Sequence, residues 1–225
     1  AMNIFRLNHL NMKGVKLENN GVNIEKFNES FKETKLAYLI PDFQNPSART
    51  YSDEKREQIA RIVSEEDGIL IEDSPYSELF FDKKNTSISV KIPKNSFHLG
   101  SFSKTLVPSL RIGWIRADEK LLQSLMIIKE SIDLHSCGIS QYILNEYLKD
   151  EEKYEKHLQD IRDDYEKKAN FFCEQLDKNL PEFKYEKPKG GMFLYGGFEG
   201  VDSFALVQKC LAKKVVFVPG NQFYI

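Results

Sequence analysis

The sequence predicts an α/β fold: a mostly parallel sheet with flanking helices, followed by a smaller α+β unit beyond a long linking helix. Three observations carry this. Continuous apolar runs such as Leu36-Ala37-Tyr38-Leu39-Ile40 and Ile69-Leu70-Ile71 read as strands buried on both faces, the pattern of a parallel sheet. A helical segment separates these two runs, as a crossover between parallel strands requires. A highly charged stretch from Glu151 to about Lys178 keeps helical apolar spacing through Tyr154, Leu158, Ile161, Tyr165, Phe171, Phe172 and Leu176, and beyond Pro181 the pattern changes to short strand-like pieces. The expected boundary lies inside that helix, dividing residues 1–155 from 156–225.

The first residues are the least informative. Asn3-Ile4-Phe5 and Gly14-Val15-Lys16-Leu17 read as short strands with a turn at Asn19-Asn20-Gly21. Ser52 has the character of an N-cap, because Asp53 and Glu54 follow it and Ile59, Ile62 and Val63 supply an apolar stripe. Further strands are expected at 68–73, 96–100 and 112–116. Asp118 opens an amphipathic helix to about Asp133 with Leu121, Leu122, Leu125, Met126 and Ile128 on its apolar side, and a second helix runs from about Ser140 to Leu148. A helix from about Val201 to Lys213 and a last strand, Val215 to Val218, end the chain's pattern.

With 225 residues, 41% of them hydrophobic, the chain can bury a substantial core. A formal net charge of −2 gives no sign of the basic surface of a nucleic-acid binder. Cys137, Cys173 and Cys210 are odd in number and outside any CxxC pattern, so neither a disulfide framework nor a zinc site is implied and a reducing cytoplasm is expected. No apolar run approaches the ~20 residues of a membrane span. His9, His98 and His157 lack partners at ligand spacing and read as structural or exposed. Trp114, in a strand, reads as core rather than a stacking platform.

Chemistry gathers in Gly100-Ser101-Phe102-Ser103-Lys104-Thr105-Leu106-Val107-Pro108-Ser109-Leu110-Arg111. Ser101 and Ser103 offer hydroxyls, Arg111 a guanidinium fork suited to phosphate, and Lys104 an amine that can condense with a carbonyl. That set suits a phosphorylated carbonyl compound, with pyridoxal 5′-phosphate the leading candidate. Such residues are also common in ordinary loops, so the stretch alone leaves both readings open. Asn45-Pro46 after one strand reads by itself as a turn, and Asp73 at the carboxyl end of another as a loop-binding carboxylate or as a ligand group at the favoured end of an open α/β sheet.

Taken together, these segments resemble the fold-type I, class I/II aminotransferases. The Ser101-x-x-Lys104 spacing with Arg111 seven residues later resembles that family's Schiff-base segment; Pro41 to Pro46 resembles its P-x-x-x-N-P loop; Asp73 and Tyr76 match its D-x-x-Y. Gly190-Gly191-Met192-Phe193 and Val218-Pro219-Gly220 with Phe223 resemble two later motifs. The resemblance implies that Lys104 carries pyridoxal phosphate as a Schiff base and moves the substrate proton. It further implies that Ser101, Ser103 and Arg111 hold phosphate, that Asp73 keeps the pyridine nitrogen protonated, and that Asn45 and Tyr76 bind the phenolic oxygen. The expected activity is amino transfer from an amino acid to a 2-oxo acid by a cytoplasmic homodimer, with no membrane or nucleic-acid partner for these residues. It also implies that the family's glycine-containing phosphate loop and stacking aromatic lie before residue 1, and its substrate-carboxylate arginine after residue 225. Two other readings stand beside it: the effector-sensing domain of a MocR/GntR-type transcription regulator, where DNA is reached only through an upstream winged helix, and a degenerate copy that binds no cofactor.

Overall fold

The computed structural model describes residues 2–223. The chain opens with helix α1 (Met2–Leu7), where a strand was expected at Asn3-Ile4-Phe5. A short hairpin, β1 (Leu17–Glu18) and β2 (Gly21–Val22), turns at the predicted Asn19-Asn20 position. Helix α2 (Ile24–Thr34) follows, and the sequence reading missed it. Its signals were present: Asn23 caps it, accepting the Lys26 amide at 2.9 Å, and Phe27 and Phe31 stack one turn apart with ring centroids 5.4 Å apart.

The main sheet has the order β3-β4-β5-β6. β3 (Leu36–Leu39) leads to α3 (Asp53–Glu65), capped by Ser52 as expected, and then to β4 (Ile69–Asp73) and β5 (Ser96–Ser101). β3, β4 and β5 are parallel, while β6 (Gly113–Ala117) runs antiparallel to β5. This placement matters more than any other feature of the sheet. Parallel strands set the carboxyl ends of β3, β4 and β5 at one edge, and the antiparallel return of β6 brings residues 102–112 back across that same edge.

One face of the sheet is sealed by α2 and α3. Leu39, Leu70, Ile59, Val63, Phe31 and Ile88 form its core, each contributing roughly 1.5–3 kcal/mol by leaving water. Glu72, one residue from Asp73 and so on the opposite face of the strand, is buried on this side and accepts the Ile88 and Ser89 amides at 3.0 and 2.7 Å. A buried carboxylate thereby caps the 3-10 turn at 88–90.

Helices α4 (Glu119–Asp133) and α5 (Gly138–Leu148) follow the sheet. Leu121, Leu122 and Leu125 are half-buried as an apolar face requires, but Met126 and Ile128 are exposed, because the described residues pack against one side of α4 only. The long helix α6 (Glu151–Asn179) matches its prediction closely. Beyond it lie β7 (Lys184–Tyr185), β8 (Gly196–Gly197) and α7 (Ser203–Leu211). The strand expected at Val215 to Val218 does not form: among the described residues no partner strand lies beside it, and Val215, Val216 and Val218 are exposed. Among the described residues no helix is long and apolar enough to cross a membrane.

Candidate active site

The loop after β3 is built by a buried ion pair. Arg56 on α3 donates through Nη2 and Nη1 to the two oxygens of Asp42 at 2.6 and 3.4 Å, and also to the carbonyls of Pro41, Tyr51 and Thr86 at 3.0, 3.0 and 3.2 Å. Five directional bonds from one planar guanidinium leave the loop little freedom. It ends at Asn45, whose bond to Pro46 is cis.

Asn45 reaches Tyr76. The phenol is buried, which pushes its pKa up; the Asn45 amide beside it favours the ionised form, and the negative charge of Asp73 acts against ionisation. The structure therefore brings Asn45, Tyr76 and Asp73 together at one sheet edge. Tyr76 is fixed from behind by Phe43 and Leu79, with Phe193 edge-on at 5.3 Å between ring centroids. Phe193 belongs to the Gly190-Gly191-Met192-Phe193 segment, and the two glycines are dictated by Phe43. A Cβ at Gly190 would stand 2.5 Å from the Phe43 ring and 2.6 Å from the Leu79 carbonyl.

Asp73 has a partner that the sequence did not disclose: the Tyr38 hydroxyl donates to its Oδ2. Tyr38 is paired in register with Ile71 across β3 and β4, so Asp73 is its diagonal neighbour on the same face, within reach of a long side chain. Sequence alone could not align them, since the register follows from the crossover through α3.

Leu99 is the register partner of Asp73 on β5, and Ser101 continues that face two residues on. Ser101 Oγ accepts the Ser103 amide at 3.1 Å, starting the turn that carries Lys104. The neck of the loop is closed by the Phe102 amide on the Ile112 carbonyl at 3.1 Å. Lys104 is half-buried and, among the described residues, makes no hydrogen bond or ion pair, which is the condition of an amine held ready for another partner. Arg111 is exposed, in the left-handed region at φ 53°, and folds back to the Pro108 carbonyl at 3.4 Å. It shares the loop with Lys104, Ser101 and Ser103 but, among the described residues, makes no side-chain hydrogen bond to any of them.

Two readings of single residues need correction. His157, expected to be exposed, is half-buried and its Nε2 lies 2.9 Å from the Thr105 carbonyl. Its neighbours Tyr154, Leu158 and Ile161 stand on one stripe of α6, and this spacing was the available signal. Trp114 is 42% exposed rather than core. It lies across Gly100, where a Cβ would meet its ring at 2.2 Å, with His98 edge-on at 5.0 Å. That is the face opposite Asp73, so the indole takes no part in this edge. Among the described residues no group of three or more His, Cys, Asp or Glu is placed to hold a metal ion.

Lys104, half-buried and without a hydrogen bond or ion pair among the described residues, thus stands in the loop that crosses the sheet edge where a carboxylate, a phenol and an amide gather. The sequence matches the family described as aminotransferase class I and II over residues 2–225, and the chain belongs to that family. Its relatives include aromatic-amino-acid aminotransferase 1 of Thermococcus litoralis, 32% identical over the whole of this chain and 56% of that protein. The 2-aminoadipate transaminase of Thermus thermophilus is 31% identical over the whole chain and 58% of its own length. The HTH-type transcriptional regulator NorG of Staphylococcus aureus is 32% identical, with 51% of it covered. Among solved structures, the α-aminoadipate aminotransferase LysN of Thermus thermophilus, complexed with N-(5'-phosphopyridoxyl)-L-leucine, superposes with a TM-score of 0.92 at 31% identity, covering 98% of this chain and 58% of that one. The Pyrococcus horikoshii kynurenine aminotransferase, in complex with PMP, gives a TM-score of 0.87 at 33% identity over 93% and 55%. The chain spans a little over half the length of these relatives.

Proposed function

We propose that this chain belongs to a pyridoxal-phosphate-dependent aminotransferase that moves the amino group of an amino acid to a 2-oxo acid. The observation that carries the reading is the grouping of Asn45, Tyr76 and Asp73 at the sheet edge crossed by the Lys104 loop. The donor set suits the cofactor group by group. Asp73 is a carboxylate for a protonated ring nitrogen, Asn45 and Tyr76 are donors for a phenolic oxygen, Lys104 is an amine for the aldehyde, and Ser101, Ser103 and Arg111 suit a phosphate. Arg111, now folded back to the Pro108 carbonyl at 3.4 Å, would have to release that bond to hold the phosphate.

When bound, pyridoxal phosphate supplies an electron sink that makes the substrate α-proton removable. The chain's own residues do the rest. Lys104 Nζ would accept the proton from the substrate Cα and hand it on to the bound cofactor within the first half of the reaction, then carry a proton the opposite way, back to Cα, in the second half, which requires an amine free of other partners. Asp73 would accept the hydrogen bond of the ring nitrogen, and the Tyr76 hydroxyl, whose proton burial favours, would donate toward the ring oxygen together with the Asn45 amide. Phe193, packed on Tyr76, closes the apolar side of the same edge. In this reading residues 1–155 belong to the large cofactor-binding domain and 156–225 to the small one, in a cytoplasmic homodimer.

The test is absorbance of the natural full chain with pyridoxal phosphate, before and after borohydride, beside Lys104→Ala. A band near ~420 nm, fixed by reduction and lost in the variant, is expected; amino-acid-dependent bleaching restored by a 2-oxo acid completes it. The likeness to NorG supports a second reading, an effector-sensing domain of a regulator. That reading expects the same band and bleaching without turnover.

A further inference from the structure

We infer that Tyr38 is a positioning residue for Asp73, holding Oδ2 so that Oδ1 is presented to a protonated ring nitrogen. The inference rests on the proposed function. A carboxylate at a strand end turns freely about its last torsion, because that torsion has broad, two-fold preferences. Here the turn is stopped by one donor. The Tyr38 hydroxyl occupies Oδ2, and among the described residues no other group hydrogen-bonds the Asp73 carboxylate, so the second oxygen is open. Tyr38 is itself held: its ring packs edge-on against Phe5 at 5.9 Å between centroids, and its backbone is locked in β3 against Ile71. Burial, the bond to Asp73 and the charge of Asp73 all push the phenol's pKa upward. The hydroxyl therefore keeps its proton and acts only as a donor toward this carboxylate.

The consequence reaches the cofactor. A donor on Oδ2 withdraws charge from the carboxylate, so a proton shared between Oδ1 and a ring nitrogen sits nearer the nitrogen. Tyr38 would thus help keep the ring in its electron-withdrawing form without touching it.

The experiment uses the natural full chain, the Tyr38→Phe and Lys104→Ala variants, and pyridoxal phosphate labelled with 15N in the ring. Tyr38→Phe keeps the packing on Phe5 and removes only the donor. The expected results are about tenfold weaker cofactor binding, the size of one lost hydrogen bond to a charged group, and a ring 15N resonance moved toward the unprotonated position. The unfolding midpoint without cofactor should stay within a few degrees. A variant with the wild-type dissociation constant and 15N resonance overturns the inference while leaving the Lys104 reading intact. A wild type that binds no cofactor, or a Lys104→Ala variant that keeps the borohydride-fixed band, overturns the underlying reading and this inference with it. If Tyr38→Phe does not fold, 3-fluorotyrosine at position 38 keeps the shape with a stronger donor. It should move the resonance toward the protonated position, and no movement overturns the inference.

Discussion

His157 donates from Nε2 to the carbonyl of Thr105 at 2.9 Å, joining the long helix α6 to the residue next to Lys104. A carbonyl only accepts, so this nitrogen carries the imidazole proton. The histidine is braced by Tyr147, edge-on at 6.1 Å. Replacing it with alanine is expected to cost about 1 kcal/mol and to speed amide hydrogen exchange at residues 103–106. Exchange at the wild-type rate in that segment would show that the Leu106 amide bond to Phe102 holds the turn alone.

The ion pair of Arg56 and Asp42 is almost fully buried, at 1% and 3% exposure. Arg56→Met leaves the carboxylate with Asn85, at 3.0 Å, as its remaining donor among the described residues, and is expected to destabilise by about 3–5 kcal/mol. Adding Asp42→Asn should return part of that loss. Urea unfolding of both single variants and the double variant measures the coupling; simple additivity would mean that the pair does not act as a unit.

Two glycine-to-alanine substitutions should behave oppositely. Gly190→Ala drives a Cβ into the Phe43 ring and the Leu79 carbonyl, and since backbone cannot yield as a side chain does, a loss of about 2 kcal/mol or more is expected. Gly138→Ala, at the start of α5, meets nothing within 4 Å, and should stay within about 0.5 kcal/mol of wild type. Thermal unfolding separates them. Equal midpoints would mean that the 190–193 segment moves aside at little cost.

Acid should weaken the fold through His98. Burial holds this imidazole below its ordinary 6.5, the negative charge of buried Glu72 works against that, and Arg116 adds to the lowering. A depressed folded-state value means that the unfolded chain binds the extra proton. The contribution is complete above 6.5 and is lost as pH falls through the folded-state value. His98→Gln cannot titrate, so the slope of stability between about pH 7 and about pH 5 should be shallower than in wild type. Parallel slopes would assign the acid sensitivity to other groups.

Much of the fold was legible along the chain because it is local. The Ser52 cap, the apolar run of β3, the alternation that puts Glu72 and Asp73 on opposite faces, and the stripe of α6 are each set by neighbours within a turn or a pleat. Failures came where local pattern and tertiary context diverge. Asn3-Ile4-Phe5 is helical, with Phe5 packed on Tyr38. Val215 to Val218 has strand character without a neighbouring strand among the described residues, and β structure needs one.

By itself the sequence determined which chemical groups this protein carries and roughly where on elements they stand: Asn45 after a strand, Asp73 at a strand's end, Lys104 in a loop between two strands. The tertiary structure alone decided which groups meet. Tyr38 finds Asp73 because a crossover sets the register of two parallel strands, His157 finds Thr105 because α6 packs along the lysine loop, and Phe43 dictates Gly190 from across the molecule. Each depends on distances between residues far apart in the chain, and no periodicity of a single strand or helix encodes such a distance.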